Sequence, residues 1–114
     1  MKGADAEDRA LAYLQKQGCT LMLRNFRARG GEIDLVMRAG GTLMVVEVRK
    51  RSSARYGSAA ESVDARKQAR IVLAARWLLA QRADLAKLAV RFDVVTLDAD
   101  DTIEWIRGAF DAEG

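Results

Sequence analysis

Two segments, Gly31-Glu32-Ile33-Asp34-Leu35 and Val45-Val46-Glu47-Val48-Arg49, lie on either side of Gly40-Gly41, and that glycine pair constrains the fold more than any other feature. A Gly-Gly pair between two apolar runs reads as a two-residue hairpin turn with positive φ at both central positions. Such a loop sets the register, so that Ala39 faces Thr42, Asp34 faces Glu47 and Glu32 faces Arg49. Two carboxylates directly opposite one another on one sheet face repel, and a divalent cation between them removes the repulsion. Ile33, Leu35 and Met37 alternate with the charged set, as do Met44, Val46 and Val48, so the other face is apolar and packs on a core. Two accounts fit the charged face: the wet side of an antiparallel sheet, or a site.

At 114 residues, half of them apolar, the chain reads as a single globular domain over 1–114. Its one cysteine, Cys19, has no internal partner, which fits a reducing compartment, and it reads as a small residue after the first helix. There is no histidine. That excludes Ser-His triads, zinc-histidine sites and the usual general base, and leaves carboxylates, Lys, Arg, Tyr or an oxygen-bound metal. The opening Met1-Lys2-Gly3-Ala4-Asp5 has no apolar core of a signal peptide, and the run from Ile71 to Ala80 is interrupted by Arg76 and too short to span a bilayer. A cytoplasmic protein outside the membrane is expected.

Net charge is only +3, but from Arg24 to Arg70 eleven Lys or Arg stand against five Asp or Glu. The densest part is Arg49-Lys50-Arg51, Arg55, Arg66, Lys67 and Arg70. Arginine's planar fork donates two parallel hydrogen bonds to phosphate. Beside a carboxylate pair, this makes Arg51, Arg55, Arg66 and Arg70 candidates for nucleic-acid binding, against the alternative of a solvated basic surface. Tyr56 and Gly57 sit in the same basic loop and read either as solvated or as touching nucleic acid.

Along the chain, Asp5 to Gln17 reads as a helix ended by Gly18, with Ala10, Leu11 and Leu14 as its apolar stripe. Glu7 lies on that stripe, either as a helix-start charge or as a carboxylate aimed at the hairpin. Strands follow at Thr20–Phe26, Glu32–Met37 and Leu43–Arg49, then a polar loop over 50–61. A helix capped by Ser62 runs to Gln81, and strands follow at Val90–Leu97 and Thr102–Ile106 around an Asp98-Ala99-Asp100-Asp101 turn. The order α-β-β-β-α-β-β implies an α/β domain, a mixed sheet with helices packed on it. Trp77, Trp105 and Phe110 fall in apolar periods and are expected in the core. Asp93, two residues after Arg91, is expected as the structural partner of a basic side chain.

Metal-dependent phosphodiester cleavage needs little beyond this inventory. Carboxylates hold Mg²⁺ or Mn²⁺, the cation lowers the pKa of a water, and a nearby Lys or Arg stabilises charge on the phosphate. Asp34 followed by Glu47-Val48-Arg49 resembles the PD-(D/E)xK signature of restriction-endonuclease-like nucleases. More closely, the chain resembles the YraN-like family of bacterial proteins, grouped with Holliday-junction-resolvase-like nucleases. The resemblance runs through Gly3 to Glu7, Gly30-Gly31-Glu32-Ile33-Asp34-Leu35, Val45-Val46-Glu47-Val48-Arg49, Lys67-Gln68, Arg91-Phe92-Asp93-Val94-Val95, Trp105-Ile106 and Ala109-Phe110.

The resemblance implies a restriction-endonuclease-like fold, a Mg or Mn cofactor, and DNA, branched or otherwise structured, as partner. It implies Glu7, Asp34 and Glu47 as metal ligands or water-orienting carboxylates. The family's lysine position falls on Arg49, which stabilises phosphate but carries protons poorly. Lys50 points to the opposite face, whereas Lys67 on the next helix can supply an amine from outside the strand. The other account of Arg49 is a cross-strand salt bridge with Glu32. The expected function is a metal-dependent DNA endonuclease. The alternatives are a nuclease-fold protein that binds nucleic acid without cleaving it, and a protein-interaction scaffold. A homodimer is left open by analogy with symmetric resolvases.

Overall fold

Residues 2–51 and 63–112 are described by the computed structural model of the chain. Helix α1 (Lys2–Lys16) is followed by three antiparallel strands, β1 (Thr20–Ala28), β2 (Gly31–Ala39) and β3 (Thr42–Lys50). Helix α2 (Ala65–Gln81) and a four-residue helix α3 (Ala83–Ala86) lead to β4 (Ala89–Leu97), and β5 (Ile103–Phe110) closes the order. The five strands form one sheet in the order β1-β2-β3-β4-β5. All neighbours are antiparallel except β3 and β4, which run parallel, as a connection through a helix requires. This is the expected α-β-β-β-α-β-β arrangement, with α3 as a small addition. Among the described residues, no helix is long and apolar enough to cross a membrane.

The β2–β3 turn sits at Gly40-Gly41, and Ala39 pairs with Thr42 as the sequence implies. Of the two glycines only Gly40 takes positive φ, 59°, where both were expected; one left-handed residue at the first position suffices for a turn of the II′ kind. The register then runs as expected from Ala39↔Thr42 to Leu35↔Val46.

Both faces of the sheet are buried. On one side Ala6, Ala10 and Leu14 of α1 pack on Leu35, Met37, Met44, Val46, Val95 and Leu97, with Cys19 enclosed at the rim. On the other, Ile71, Val72, Ala74, Ala75 and Leu78 of α2 pack on Val36, Leu43, Val45, Phe92 and Val94. The charged side of the hairpin is therefore not an open wet face, since α2 lies over it. Ile33 belongs to the α2 side, although Leu35, two residues on, faces α1. The alternation breaks where the β1–β2 register passes from Arg24↔Leu35 to Phe26↔Ile33, over Asn25 and Asp34. Asn25, across from Asp34 on β1, is left-handed with φ 55°, while the register shift of this ladder lies further along, between Leu21 and Leu23.

Helix α2 is seated by a glycine and started by an aspartate. A Cβ on Gly31 would overlap the carbonyl oxygen of Arg70, so only glycine lets the helix backbone come this close to β2. The N-cap is Asp64, whose carboxylate accepts from the Lys67 amide at 2.9 Å. The cap expected at Ser62 lies outside the described residues, as do Arg55, Tyr56 and Gly57.

Asp93 is a structural hub, as expected. It is fully buried and accepts from Arg91 Nε at 2.8 Å, Arg91 Nη2 at 2.9 Å, Trp105 Nε1 at 3.0 Å and the Gly108 amide at 3.0 Å. Trp105 also meets the edge of Tyr13 at 6.2 Å, and Phe110 stacks on Phe92 at 5.2 Å, so both aromatics serve packing. Trp77 does not. It is 47% exposed on the outer side of α2, contrary to the expected core position.

Candidate metal centre and basic cleft

Glu47 follows Val45 by two residues and so points to the α2 side of the sheet, as does Arg49. Lys67 comes to the same place from the first turn of α2. Its Nζ lies 3.7 Å from Glu47 Oε2, and Arg49 Nη1 lies 3.6 Å from the same oxygen. Asp34 completes the group from β2. The paired register ends at Leu35↔Val46, one step short of Asp34, and the Asp34 carboxylate takes the next amide itself, with Val48 N–H donating to Oδ2 at 2.9 Å. The opposition of Asp34 and Glu47 read from the turn is thus a meeting of side chains where the strands part, not a ladder pair. A carboxylate so anchored has its orientation set by the backbone.

Glu47 is only 4% exposed. Burial, reinforced by the negative charge of Asp34, pushes its carboxyl up to about 8, with Lys67 and Arg49 pulling the other way. Among the described residues, its second oxygen, Oε1, is buried with no hydrogen-bond partner. An unpartnered buried oxygen is costly unless something binds it. Two adjacent carboxylates with one unpartnered oxygen fit a hard divalent cation. Mg²⁺ in particular is held by one or two carboxylates, with water and substrate phosphate filling the rest.

Glu7, the third carboxylate implied by the resemblance, is ion-paired with Arg24 of β1 at 3.3 Å. Among the described residues no group of three or more His, Cys, Asp or Glu converges as a metal cage, so Glu7 does not join Asp34 and Glu47 in one. The proposed Glu32–Arg49 bridge is not formed either. Glu32 meets Arg27 across the β1–β2 hairpin at 3.6 Å, because Glu32 pairs with β1 beyond the point where β3 departs.

Beside Glu47 opens a cleft of about 250 Å³ lined by Arg49, Asp64, Arg66, Lys67 and Arg70. Arg66 and Arg70, both expected at nucleic acid, are exposed there, and Arg70 Nε donates to the Gly30 carbonyl at 3.3 Å. Arg51 is elsewhere. Its side chain is 9% exposed and lies 3.9 Å from both Asp98 and Glu104, near the β4–β5 turn, so it is spent on ion pairs and does not face the cleft. Arg51 lies just past the end of β3, where alternation no longer fixes its direction, and its neighbours come from the β4–β5 turn, which a count of charges does not reveal.

The outer side of α2 carries a feature that sequence reading missed. Arg66, Arg70, Leu73 and Trp77 are spaced by four, three and four residues, which aligns them on one helix face, and all four are exposed. The spacing was there to be found. The presumption that a tryptophan in an apolar period is buried hid it.

The profile of the uncharacterised protein family UPF0102 matches residues 6–97. The chain is 55% identical over 113 residues to a UPF0102 protein of Cupriavidus taiwanensis, spanning 98% of this chain and 84% of the relative. It is 50% identical over 110 residues to one of Herminiimonas arsenicoxydans, with 96% and 86% covered. Against one of Pseudomonas aeruginosa strain PAO1 it is 47% identical over 116 residues, with 97% and 93% covered. The matched span holds Glu7, Asp34, Glu47, Arg49 and Lys67.

Proposed function

The chain belongs to the uncharacterised protein family UPF0102, the YraN-like proteins, and for it we propose a metal-dependent nuclease activity on DNA. One observation carries the reading: the Lys67 amine, from a helix, stands 3.7 Å from Glu47 Oε2 at a carboxylate pair whose strand partner position is filled by Arg49. The amine that Arg49 lacks is thereby supplied from α2.

Asp34 and Glu47 would hold Mg²⁺ or Mn²⁺, Glu47 through Oε1. Bound there, the cation supplies Lewis-acid stabilisation of the phosphate and a more acidic water. Every other part belongs to the chain. Val48 N–H fixes the Asp34 carboxylate. Arg49, with its permanent charge and two-pronged fork, binds a non-bridging phosphate oxygen and offsets charge developing there. Lys67, a compact donor beside Glu47, orients the attacking water or passes a proton. Arg66 and Arg70 bind the phosphates that flank the cleft.

A second reading, a nuclease-fold protein that binds DNA without cutting it, is favoured by Glu47 Oε2 lying within 3.7 Å of both Arg49 and Lys67, so that one oxygen of Glu47 is already engaged without any metal. Incubation of linear, single-stranded, flap and four-way-junction DNAs with Mn²⁺ separates the two. Cleavage by the wild type that disappears in Asp34→Ala supports the nuclease. Binding without cleavage supports the second reading, and neither binding nor cleavage refutes both.

A further inference from the structure

The nuclease reading uses the first turn of α2. The remaining outer face of that helix is unused, and it is chemically unusual. Over its 17 residues α2 contains Arg66, Lys67, Arg70 and Arg76 and no Asp or Glu. Arg66, Arg70, Leu73 and Trp77 share one exposed line. Leu73, 40% exposed, is seated against the β1–β2 turn, where a Cβ on Gly30 would press on its Cδ2. Trp77 is 47% exposed, and among the described residues no other ring or guanidinium stacks on its indole. Trp105 differs in every respect: Tyr13 stands at its edge, Arg107 lies 3.8 Å over its ring and Asp93 holds its N–H.

The partner of such a line has to be anionic and to offer flat apolar faces. A second copy of α2 fails the first condition, because two such helices side by side would set cations against cations with no carboxylate between them. Nucleic acid meets both conditions. Phosphates suit Arg66 and Arg70, and a base suits an open indole, since stacking on an aromatic side chain tolerates any base identity. A base inside an intact duplex is already stacked on both sides. Away from a duplex end, an unpaired nucleotide alone has a face free to lie on Trp77.

We propose that the outer face of α2 is a track for DNA carrying unpaired nucleotides, with Arg66 and Arg70 on the phosphates and Trp77 as the stacking platform for one unpaired base. This rests on the nuclease reading only for its direction, away from the cleft at Lys67. Ten residues separate Lys67 from Trp77, ~15 Å along the helix, or roughly four steps of duplex rise. The substrate class this selects is single-stranded, tailed or branched DNA in preference to blunt duplex.

The test is fluorescence anisotropy in EDTA, so that cleavage plays no part, with a blunt duplex, the same duplex bearing a single-stranded tail, and a single strand. Wild type, Trp77→Ala, Trp77→Phe and Arg70→Gln are compared after thermal melts confirm that each variant is folded. Wild type is expected to prefer the tailed and single-stranded probes. Trp77→Ala should weaken those two by ~10-fold and the blunt duplex by less than about two-fold, with Trp77→Phe restoring most of the loss. Arg70→Gln should weaken all three alike and flatten the salt dependence. Equal loss on all probes in Trp77→Ala, or no preference in the wild type, overturns the proposal. So does absence of DNA binding, including the case where light scattering finds a dimer that Trp77→Ala dissociates. Failure of the nuclease reading looks different, because Mn²⁺-dependent cleavage would be missing while the Trp77 effect on tailed DNA persists.

Discussion

Lys67 Nζ and Glu47 Oε2 lie 3.7 Å apart although one residue belongs to a helix and the other to a strand of a parallel pair. The crossover from β3 to β4 brings the first turn of α2 back over the carboxylate end of β3. The amine therefore reaches Glu47 from above the sheet, whereas Arg49 reaches it from within the strand. The two cations are not equivalent. One is a mobile point donor, the other a fixed planar fork.

Lys67→Met is accordingly expected to lower single-turnover cleavage with Mn²⁺ by ~100-fold, and Arg49→Met by ~10-fold with a larger loss of DNA affinity. Arg49→Lys in the Lys67→Met background should recover part of the lost rate, since it returns an amine to the strand. Rapid-quench time courses on whichever DNA the wild type cuts best give the numbers.

The raised Glu47 carboxyl makes the metal-free protein less stable in base. The folded chain keeps this proton up to about 8, whereas the unfolded chain releases it near 4.5. Between those values the folded state binds more protons, so stability is full below 4.5 and falls as pH rises through 8. With no histidine in the chain, little else titrates in that window. Thermal melts in EDTA should show Tm falling by roughly 5 °C or more from pH 5 to pH 8. Glu47→Gln should flatten that slope and be the more stable protein at pH 8.

Divalent cation should reverse the loss. At a hundred times its Kd a ligand of the folded state alone adds about 2.7 kcal/mol, roughly 10 °C for a domain of this size. Mn²⁺ at pH 8 is expected to raise the wild-type Tm on that scale and to leave Asp34→Ala and Glu47→Gln unchanged. Calorimetric scans with and without the ion decide it.

Gly31→Ala is expected to cost about 1–3 kcal/mol, because the new methyl would overlap the Arg70 carbonyl and α2 would have to lift. Activity should drop more than stability implies, as the lift carries Lys67 away from Glu47. Urea melts beside cleavage rates separate the two effects.

The hairpin was legible in the sequence because Gly40-Gly41 leaves one register open, and that register holds from Ala39↔Thr42 to Leu35↔Val46. It became illegible at Asp34, where the strands part beside the left-handed Asn25; a backbone event at one residue leaves no trace in hydrophobic alternation. The approach of Lys67 to Glu47 was legible because the order of elements brings a helix back onto β3. Arg51 was not, since its partners Asp98 and Glu104 come from a distant turn. Trp77 was misread because the apolar arc of α2 already filled its share of the core with Ile71, Val72, Ala74, Ala75 and Leu78, leaving the largest residue outside.

The outermost strands share one more property. β1 carries Asn25 at φ 55° and β5 carries Gly108 at φ 61°, each within the strand. A left-handed residue in mid-strand interrupts the straight row of amides and carbonyls that another chain would need in order to add itself. Both rims of the sheet are thus poor templates, and copies of this protein are discouraged from polymerising through strand addition even where its rims face solvent.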